Sequence, residues 1–118
     1  MPVVSTSHFE ITPPQRMPGG FLRVCLSGEF DMSVGDTLAE ALVGAARHPG
    51  VAAVVVDLQH TVFFDSHAVA ALIAGYQAAA EAGRRFTTIN ARGLVKEVLD
   101  ITGLAEVLLG PDNPTTSR

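Results

Sequence analysis

The chain has 118 residues, 47% of them hydrophobic and 17% charged, which suits one domain with a packed core and argues against a disordered chain. Its formal net charge is −4 and its eight Lys and Arg residues are scattered, so nucleic acid is not an expected partner, because phosphate binding needs clustered cations. No apolar run reaches the roughly 18 residues of a membrane span, so we expect no membrane insertion.

Two strands are predicted first in the chain. Apolar residues alternate with polar or small ones over Phe21–Ser27, the period of a half-buried strand, and we expect Gly28 to end that strand. A shorter strand is predicted over Phe9–Ile11. The prolines and glycines between the two segments predict a turn region that is too short for a crossover helix, so the strands should pair antiparallel.

A helix and a buried strand follow. Ser33, with Asp36 three positions later, is close to a capping box at the start of an apolar helical stripe. The segment His48–Gly50 should end this helix. The next run, Val51–Leu58, is apolar almost throughout and rich in valine, which indicates a central strand covered on both faces.

The second half of the chain continues the alternation. Asp65 or Ser66 can cap a helix whose apolar stripe ends before Gly83, a residue type that is common just after a helix. A further strand is predicted over Arg85–Ile89. The apolar spacing from Leu94 to Ile101 then predicts a third helix.

This order of elements predicts the fold class. Strands that alternate with helices form α/β layers around a largely parallel sheet, and the antiparallel opening pair makes the sheet mixed. We therefore expect a single α/β domain over residues 1–110, with a mixed sheet of four or five strands and helices packed on it. Residues 105–109 fit a short strand or a helical turn, and residues 111–118 fit a flexible tail.

Four short segments carry a family resemblance. They are Leu26-Ser-Gly-Glu-Phe-Asp31, Val54-Val-Val-Asp-Leu58, Val62-Phe-Phe-Asp-Ser66 and Ile101-Thr-Gly-Leu104. In their order and spacing, along positions 20–109, they resemble the STAS family of anti-sigma factor antagonists. The resemblance implies a STAS-like domain that regulates transcription by binding a partner, without catalysis and without a cofactor.

The resemblance also implies a phosphorylation switch at Ser66. In the family, the serine at this position is phosphorylated by an anti-sigma factor that is also a serine kinase, and the unphosphorylated antagonist binds that partner. The aspartate that matches Asp31 lies near the phosphorylated serine. We expect the partner-binding residues to be Asp31, Phe64, Asp65 and His67.

The residues by themselves leave other interpretations open. Serine is a common helix N-cap, so Ser66 could be a cap alone, and both Asp31 and Asp65 suit caps or polar turns. Phe63 and Phe64 are neighbours that point in opposite directions in an extended segment. One of the two should therefore lie in the core, and the other should line the partner surface.

Two other functions are compatible with parts of the sequence. The family usually has Ser or Thr and then Gly after the acceptor serine, where this chain has His67 and Ala68. One alternative is therefore a STAS-like scaffold or sensory interaction module that is not phosphorylated. The second is a small enzyme with Ser66 as nucleophile and His67 as base. It fits poorly, because neighbours at a helix start do not face each other and no Gly-x-Ser-x-Gly elbow is present.

The sequence predicts neither a metal site nor a bound cofactor. Its four histidines lack the spacing of zinc ligands and have no supporting cysteines. The pair Gly19-Gly20 lacks the pattern of a phosphate-binding loop.

The single cysteine, Cys25, cannot form an internal disulfide and is expected to be a small buried hydrophobe. Together with an N-terminal segment that does not resemble a signal peptide, this favours a cytoplasmic protein.

Overall fold

Strands and helices alternate along residues 9–103, the part of the chain that the computed structural model describes. In chain order they are β1 (Phe9–Ile11), β2 (Gln15–Met17), β3 (Phe21–Phe30), α1 (Gly35–Ala46), β4 (Ala53–Phe64), α2 (Ser66–Glu81), β5 (Arg85–Ile89) and α3 (Gly93–Ile101). A 3-10 turn over Met32–Val34 joins β3 to α1. The predicted alternation is confirmed, whereas the expectations for residues 105–109 and 111–118 lie outside the described residues.

The sheet is mixed, as the sequence predicts. Its strand order is β1-β3-β4-β5, with β1 and β2 pairing antiparallel along the same strand, β3, and with β3, β4 and β5 parallel to one another. The strand β2 was not predicted, because its three residues lie between prolines in a segment that resembles a turn. Gly19 and Gly20, both with positive φ, make the tight turn that returns the chain to β3.

Two strands are longer than their patterns predict. The expectation that Gly28 ends its strand is wrong, because β3 continues to Phe30 and Gly28 adopts a φ of 93° within it. A glycine in a left-handed conformation accommodates an irregularity in the ladder, and the register with β4 shifts directly after this residue. The strand predicted over Val51–Leu58 likewise extends to Phe64.

The core lies on the face of the sheet where the parallel strands align their large apolar residues. Leu22 pairs with Val54 and Val24 with Val56, while Phe86 pairs with Val54 from the other side. These residues form one hydrophobic cluster with residues of all three helices, including Leu38, Leu42, Leu72, Val95 and Leu99. β4 is an interior strand, as predicted, but its second face is less dry than expected, because Val55 is only half-buried.

Gly75 allows α2 to pack closely against α1 and β5. A Cβ atom at this position would lie 2.8 Å from Cε2 of Phe86 and 2.9 Å from Cβ of Leu42. We expect Gly75→Ala to lower the free energy of unfolding by about 1–3 kcal/mol, because overpacking outweighs the better helix propensity of alanine.

The matched control is Gly44 in α1, which is exposed and where an added Cβ atom would meet no other atom within 4 Å. Gly44→Ala should raise the free energy of unfolding by up to about 1 kcal/mol. Urea unfolding followed by circular dichroism measures both variants. Equal effects of the two substitutions would contradict this packing arrangement.

Candidate functional site

The parallel pairing of β3 with β4 brings the ends of these two strands to one edge of the sheet. The last residue pair of their ladder is Phe30 with Phe64. The backbone N–H of Asp65 then donates a hydrogen bond of 3.1 Å to the carbonyl oxygen of Phe30. The residues that follow each strand, Asp31 on one side and Asp65 with Ser66 on the other, are thereby brought next to each other.

Asp65 caps the helix that begins at Ser66. One oxygen of its carboxylate, Oδ1, accepts hydrogen bonds from the backbone N–H of His67 at 2.8 Å and of Ala68 at 3.1 Å. These are the N–H groups that a helix start leaves without partners. Of the two predicted caps the structure therefore selects Asp65, and Ser66 is the first residue of the helix.

The hydroxyl of Ser66 is consequently not used to hold the helix. The side chain is exposed, and within residues 9–103 its oxygen makes no hydrogen bond. The interpretation of Ser66 as a cap alone is therefore wrong. An exposed hydroxyl at the first position of a helix is accessible to a second protein, and the partial positive charge of the helix start tolerates a phosphate there.

Asp31 caps the 3-10 turn at the end of the neighbouring strand. Its Oδ1 accepts hydrogen bonds from the hydroxyl of Ser33 at 2.6 Å and from the backbone N–H of Ser33 at 3.0 Å. These two bonds hold the pKa of the Asp31 carboxyl below its usual range, so this exposed carboxylate is charged at neutral pH. The predicted capping box at Ser33 is wrong, since Ser33 donates to Asp31 and α1 begins only at Gly35.

His67 lies where the first turns of α1 and α2 meet. Its side chain is exposed, but a Cβ atom on Gly35 would lie only 3.0 Å from the Cβ of His67. The absence of a side chain at Gly35 therefore lets the two helix starts approach. His67 is thus exposed at the same edge as Ser66, and its role in partner binding stays a prediction.

The prediction that Phe64 binds the partner is wrong. Phe64 is only 2% exposed, and its ring packs edge-to-face against that of Phe30 with the centroids 5.7 Å apart. Its neighbour Phe63 is 40% exposed. The ladder pairs Phe64 with Phe30 on the core side, so Phe63 is the member of the pair that a partner can reach.

Two further exposed apolar residues at this edge were not predicted from the sequence. Val62 is 62% exposed and Met32 is 67% exposed. Periodicity could not reveal Val62, because its exposure next to the exposed Phe63 breaks the alternation of a regular strand. Met32 follows Asp31 directly, and a large apolar side chain in a predicted polar turn is the signal that could have identified it.

The segments that build this edge are acidic. No Lys or Arg occurs over residues 24–46 or over residues 57–83, whereas the same segments contain Glu29, Asp31, Asp36 and Asp65 close to the strand ends. Glu29 is exposed and pairs with Phe63 in the ladder. The edge therefore combines carboxylates, exposed apolar side chains and one free serine hydroxyl.

A buried carboxylate on the opposite face of the sheet stabilises the strand that leads to the site. Asp57 is buried in β4 and accepts hydrogen bonds from Arg23 at 2.6 Å, from the backbone N–H of Gln59 at 3.0 Å and from Asn90 at 3.1 Å. Burial alone would raise the pKa of Asp57, but these bonds outweigh it and hold the pKa below its usual range. On the same face Cys25 is half-buried rather than fully buried as expected, because it alternates with the core residues.

The described residues also form a cleft on the face of the sheet that carries Asp57. A shallow cleft of about 320 Å³ lies beside Asp57 and is lined by Gln59, Asn90, Ala91 and Arg92. Over residues 9–103, no three His, Cys, Asp or Glu side chains are grouped closely enough to hold a metal ion. None of the helices described is long and apolar enough to cross a bilayer.

Comparison with known proteins identifies a family for most of the chain. The family model described as "Mlab, STAS domain" matches residues 15–110, which include every residue of the site. No curated protein matches the sequence.

Three solved structures share the fold. An anti-sigma factor antagonist from Mycobacterium paratuberculosis has 23% identity and a TM-score of 0.71, with 96% of this chain and 94% of that chain covered. The unphosphorylated form of the anti-sigma factor antagonist SpoIIAA has 17% identity and a TM-score of 0.69, covering 92% and 91%. The phosphorylated form of SpoIIAA, described as a Bacillus cell fate determinant, has 16% identity and a TM-score of 0.62, covering 93% and 97%. At these identities the likeness establishes the fold.

The cap at Asp65 gives a testable prediction. Asp65→Ala should lower the free energy of unfolding by about 1 kcal/mol, because two N–H groups at the start of α2 lose their acceptor. Asp65→Asn should restore most of this loss, since asparagine caps helices about as well. The control is Asp36→Ala in the first turn of α1, which removes the same charge without removing a cap and should cost only a few tenths of a kcal/mol. Equal losses for the two alanine variants in urea unfolding would contradict this role.

The network around Asp57 predicts a pH dependence. The carboxyl group has a pKa of about 3.9 in an unfolded chain and a lower one here, so its contribution to stability is fully present above about pH 5 and is lost as the pH falls through the folded-state pKa. Asp57→Asn should therefore be less stable than the parent at pH 7, and the difference should narrow below about pH 4.

Urea unfolding at a series of pH values between 7 and 3 measures this difference. Asp100→Asn, which disturbs only an exposed ion pair with Lys96, is the control and should change stability little at any pH. A difference between Asp57→Asn and the parent that stays constant across the series would show that the charge of Asp57 is not what stabilises the strand.

Proposed function

Since the chain belongs to the STAS domain family, we propose that it is an anti-sigma factor antagonist controlled by phosphorylation. In its unphosphorylated form it binds an anti-sigma factor that is also a serine kinase, and the sigma factor is released. Phosphorylation of Ser66 by that partner dissociates the complex. The observation that carries this proposal is the exposed, unbonded hydroxyl of Ser66 beside Asp31, at a helix start capped by Asp65.

In the proposed phosphorylation, this chain is the substrate and the partner is the catalyst. The kinase transfers the γ-phosphoryl group of ATP to the Ser66 oxygen, and the hydroxyl proton leaves to a base that the kinase supplies. This chain provides only the acceptor and the surface that positions it. We therefore propose a binding protein rather than an enzyme, acting in the cytoplasm, where ATP and sigma factors are found.

Phosphate at Ser66 should change binding more than folding. It adds a charge of about −1.5 to −2 at neutral pH, close to two carboxylates and to the exposed Phe63. The helix start compensates by about 0.3–1 kcal/mol, so the modified chain stays folded. In a complex, however, the phosphate must lose water next to apolar contacts. A hundredfold loss of affinity requires only about 2.8 kcal/mol, which this desolvation and the added bulk can supply.

A scaffold that is never phosphorylated is the second candidate. The observation in its favour is the pair His67 and Ala68, which stand where the family usually has Ser or Thr and then Gly. Ala68 is buried and therefore affects the kinase only through the backbone, whereas the exposed imidazole of His67 lies directly beside the acceptor. A kinase that recognises the usual residues would meet a larger side chain here.

Variants of Ser66 distinguish the two candidates. Ser66→Ala should fold normally, resist phosphorylation and keep its affinity for the anti-sigma factor. Ser66→Asp should fold but bind about tenfold or more weakly, because its charge imitates part of the phosphate. The measurements are titration calorimetry against the serine-kinase anti-sigma factors of the same genome and mass spectrometry after incubation with ATP.

The control is Ser33→Ala, which removes another hydroxyl at this edge and should leave Ser66 as the phosphate acceptor. Phosphate found only at another residue, or equal affinities of the phosphorylated and unmodified chains, would reject the switch. Binding without any phosphorylation would favour the scaffold.

A further inference from the structure

An irregularity in the ladder between β3 and β4 turns two neighbouring apolar residues outwards. Gly28 pairs with Thr61 and Glu29 with Phe63, so β4 advances two residues where β3 advances one. Val62 therefore has no partner in β3 and forms a β-bulge. Val62 and Phe63 are both exposed, although consecutive residues of a regular strand point to opposite faces.

The bulge lies directly before the site. Phe63 lies three positions before Ser66 in the chain, and Met32 joins the same edge from the side of Asp31. Bulges are frequent next to functional sites, where they redirect side chains. We define Met32, Val62 and Phe63 as the apolar patch. Among the described residues, its members are the exposed large apolar residues within four positions of Asp31 or Ser66.

The surroundings of the apolar patch indicate what can cover it. Glu29 pairs with Phe63 and is exposed, Asp31 carries a charge at neutral pH, and the segments 24–46 and 57–83 contain no Lys or Arg. A complementary surface must therefore combine apolar groups with cations. A second copy of this chain is a poor occupant, because a two-fold dimer would place the same carboxylates against each other.

We propose that the partner binds the apolar patch through an apolar pocket that receives Phe63 and is bordered by Lys or Arg residues facing Glu29 and Asp31. This inference rests on the proposed function and names the binding determinant of that site. Aromatic side chains that enter a desolvated pocket dominate the binding energy of many interfaces, whereas the charges at the rim act mainly on association and specificity. The position of Phe63 also explains how a single phosphate could weaken partner binding, since Ser66 lies at the border of the apolar contact.

The test measures the affinity of the full chain and its variants for the anti-sigma factor that binds the parent chain. Phe63→Ser should weaken binding by about thirtyfold or more, as expected for a residue that fills a pocket. Phe63→Leu should stay within about fivefold of the parent, because it still fills much of the pocket. Leu94→Ser is the matched control, since Leu94 is 59% exposed on α3 and outside the apolar patch, and it should leave the affinity unchanged.

A second arm tests the cations. Glu29→Gln should weaken binding about threefold to tenfold at 50 mM NaCl. At 300 mM NaCl the parent and the variant should bind almost equally, because salt screens the attraction between Glu29 and the cations of the partner. Melting curves confirm that each variant is folded. Because Glu29 is exposed, its replacement should change the melting temperature little. Phe63→Ser removes a side chain that is 40% exposed, so it should lower the melting temperature by several degrees and leave the chain folded.

The outcomes separate this inference from the proposed function. A partner that binds the parent and Phe63→Ser equally well would overturn the role of the apolar patch and leave the switch at Ser66 intact. A parent chain that binds no anti-sigma factor would reject both. A parent dimer in sedimentation that dissociates on Phe63→Ser would assign the apolar patch to a second copy and overturn the proposal, as would unchanged binding of Glu29→Gln at low salt.

Discussion

The parallel pairing of β3 with β4 is the constraint on which the site depends. Parallel strands end at the same edge of a sheet, so the residues that follow Phe30 and Phe64 must meet there. The hydrogen bond from Asp65 to the carbonyl of Phe30 closes this edge and sets where α2 begins. Without the parallel pairing, Asp31 and Ser66, 35 positions apart in the sequence, would have no reason to lie together.

Contacts on both faces of the sheet stabilise the strands that end at that edge. The apolar face of the sheet and the three helices share one core, in which Gly75 permits close contact between α1, α2 and β5. On the other face, Asp57 draws together β3, β4 and the residue after β5 through Arg23, Gln59 and Asn90. The strand that carries the site is thus held on both faces, while the site itself stays at the surface.

Negative and positive side chains lie near opposite ends of α1. Asp31 and Asp36 lie before and within the first turn of α1, and two arginines lie around its other end. Arg84 donates to the carbonyl oxygens of Ala46 and His48, and Arg16 donates to those of Pro49 and Gly50. These cations are used to satisfy carbonyl groups after a helix C-terminus, where positive charge is favourable. The edge that carries Ser66 is left with carboxylates and exposed apolar side chains.

The sequence by itself determined most of the elements and the fold class, and its resemblance to a family indicated the candidate phosphorylation site. Period-two and helical spacing predict the strands and helices because these patterns depend only on which residues must face a core. Asp31 and Ser66 were singled out by the family resemblance of short motifs, which also implied that they lie close together. The tertiary structure decided what depends on pairing between distant segments. It placed Phe63 outside and Phe64 inside, because the bulge at Val62 changes which residues of β4 oppose β3. It chose Asp65 rather than Ser66 as the cap, because the bond to Phe30 fixes the turn before the helix. A local pattern contains no information on the register between two strands, and that register is what exposes the surface of this site.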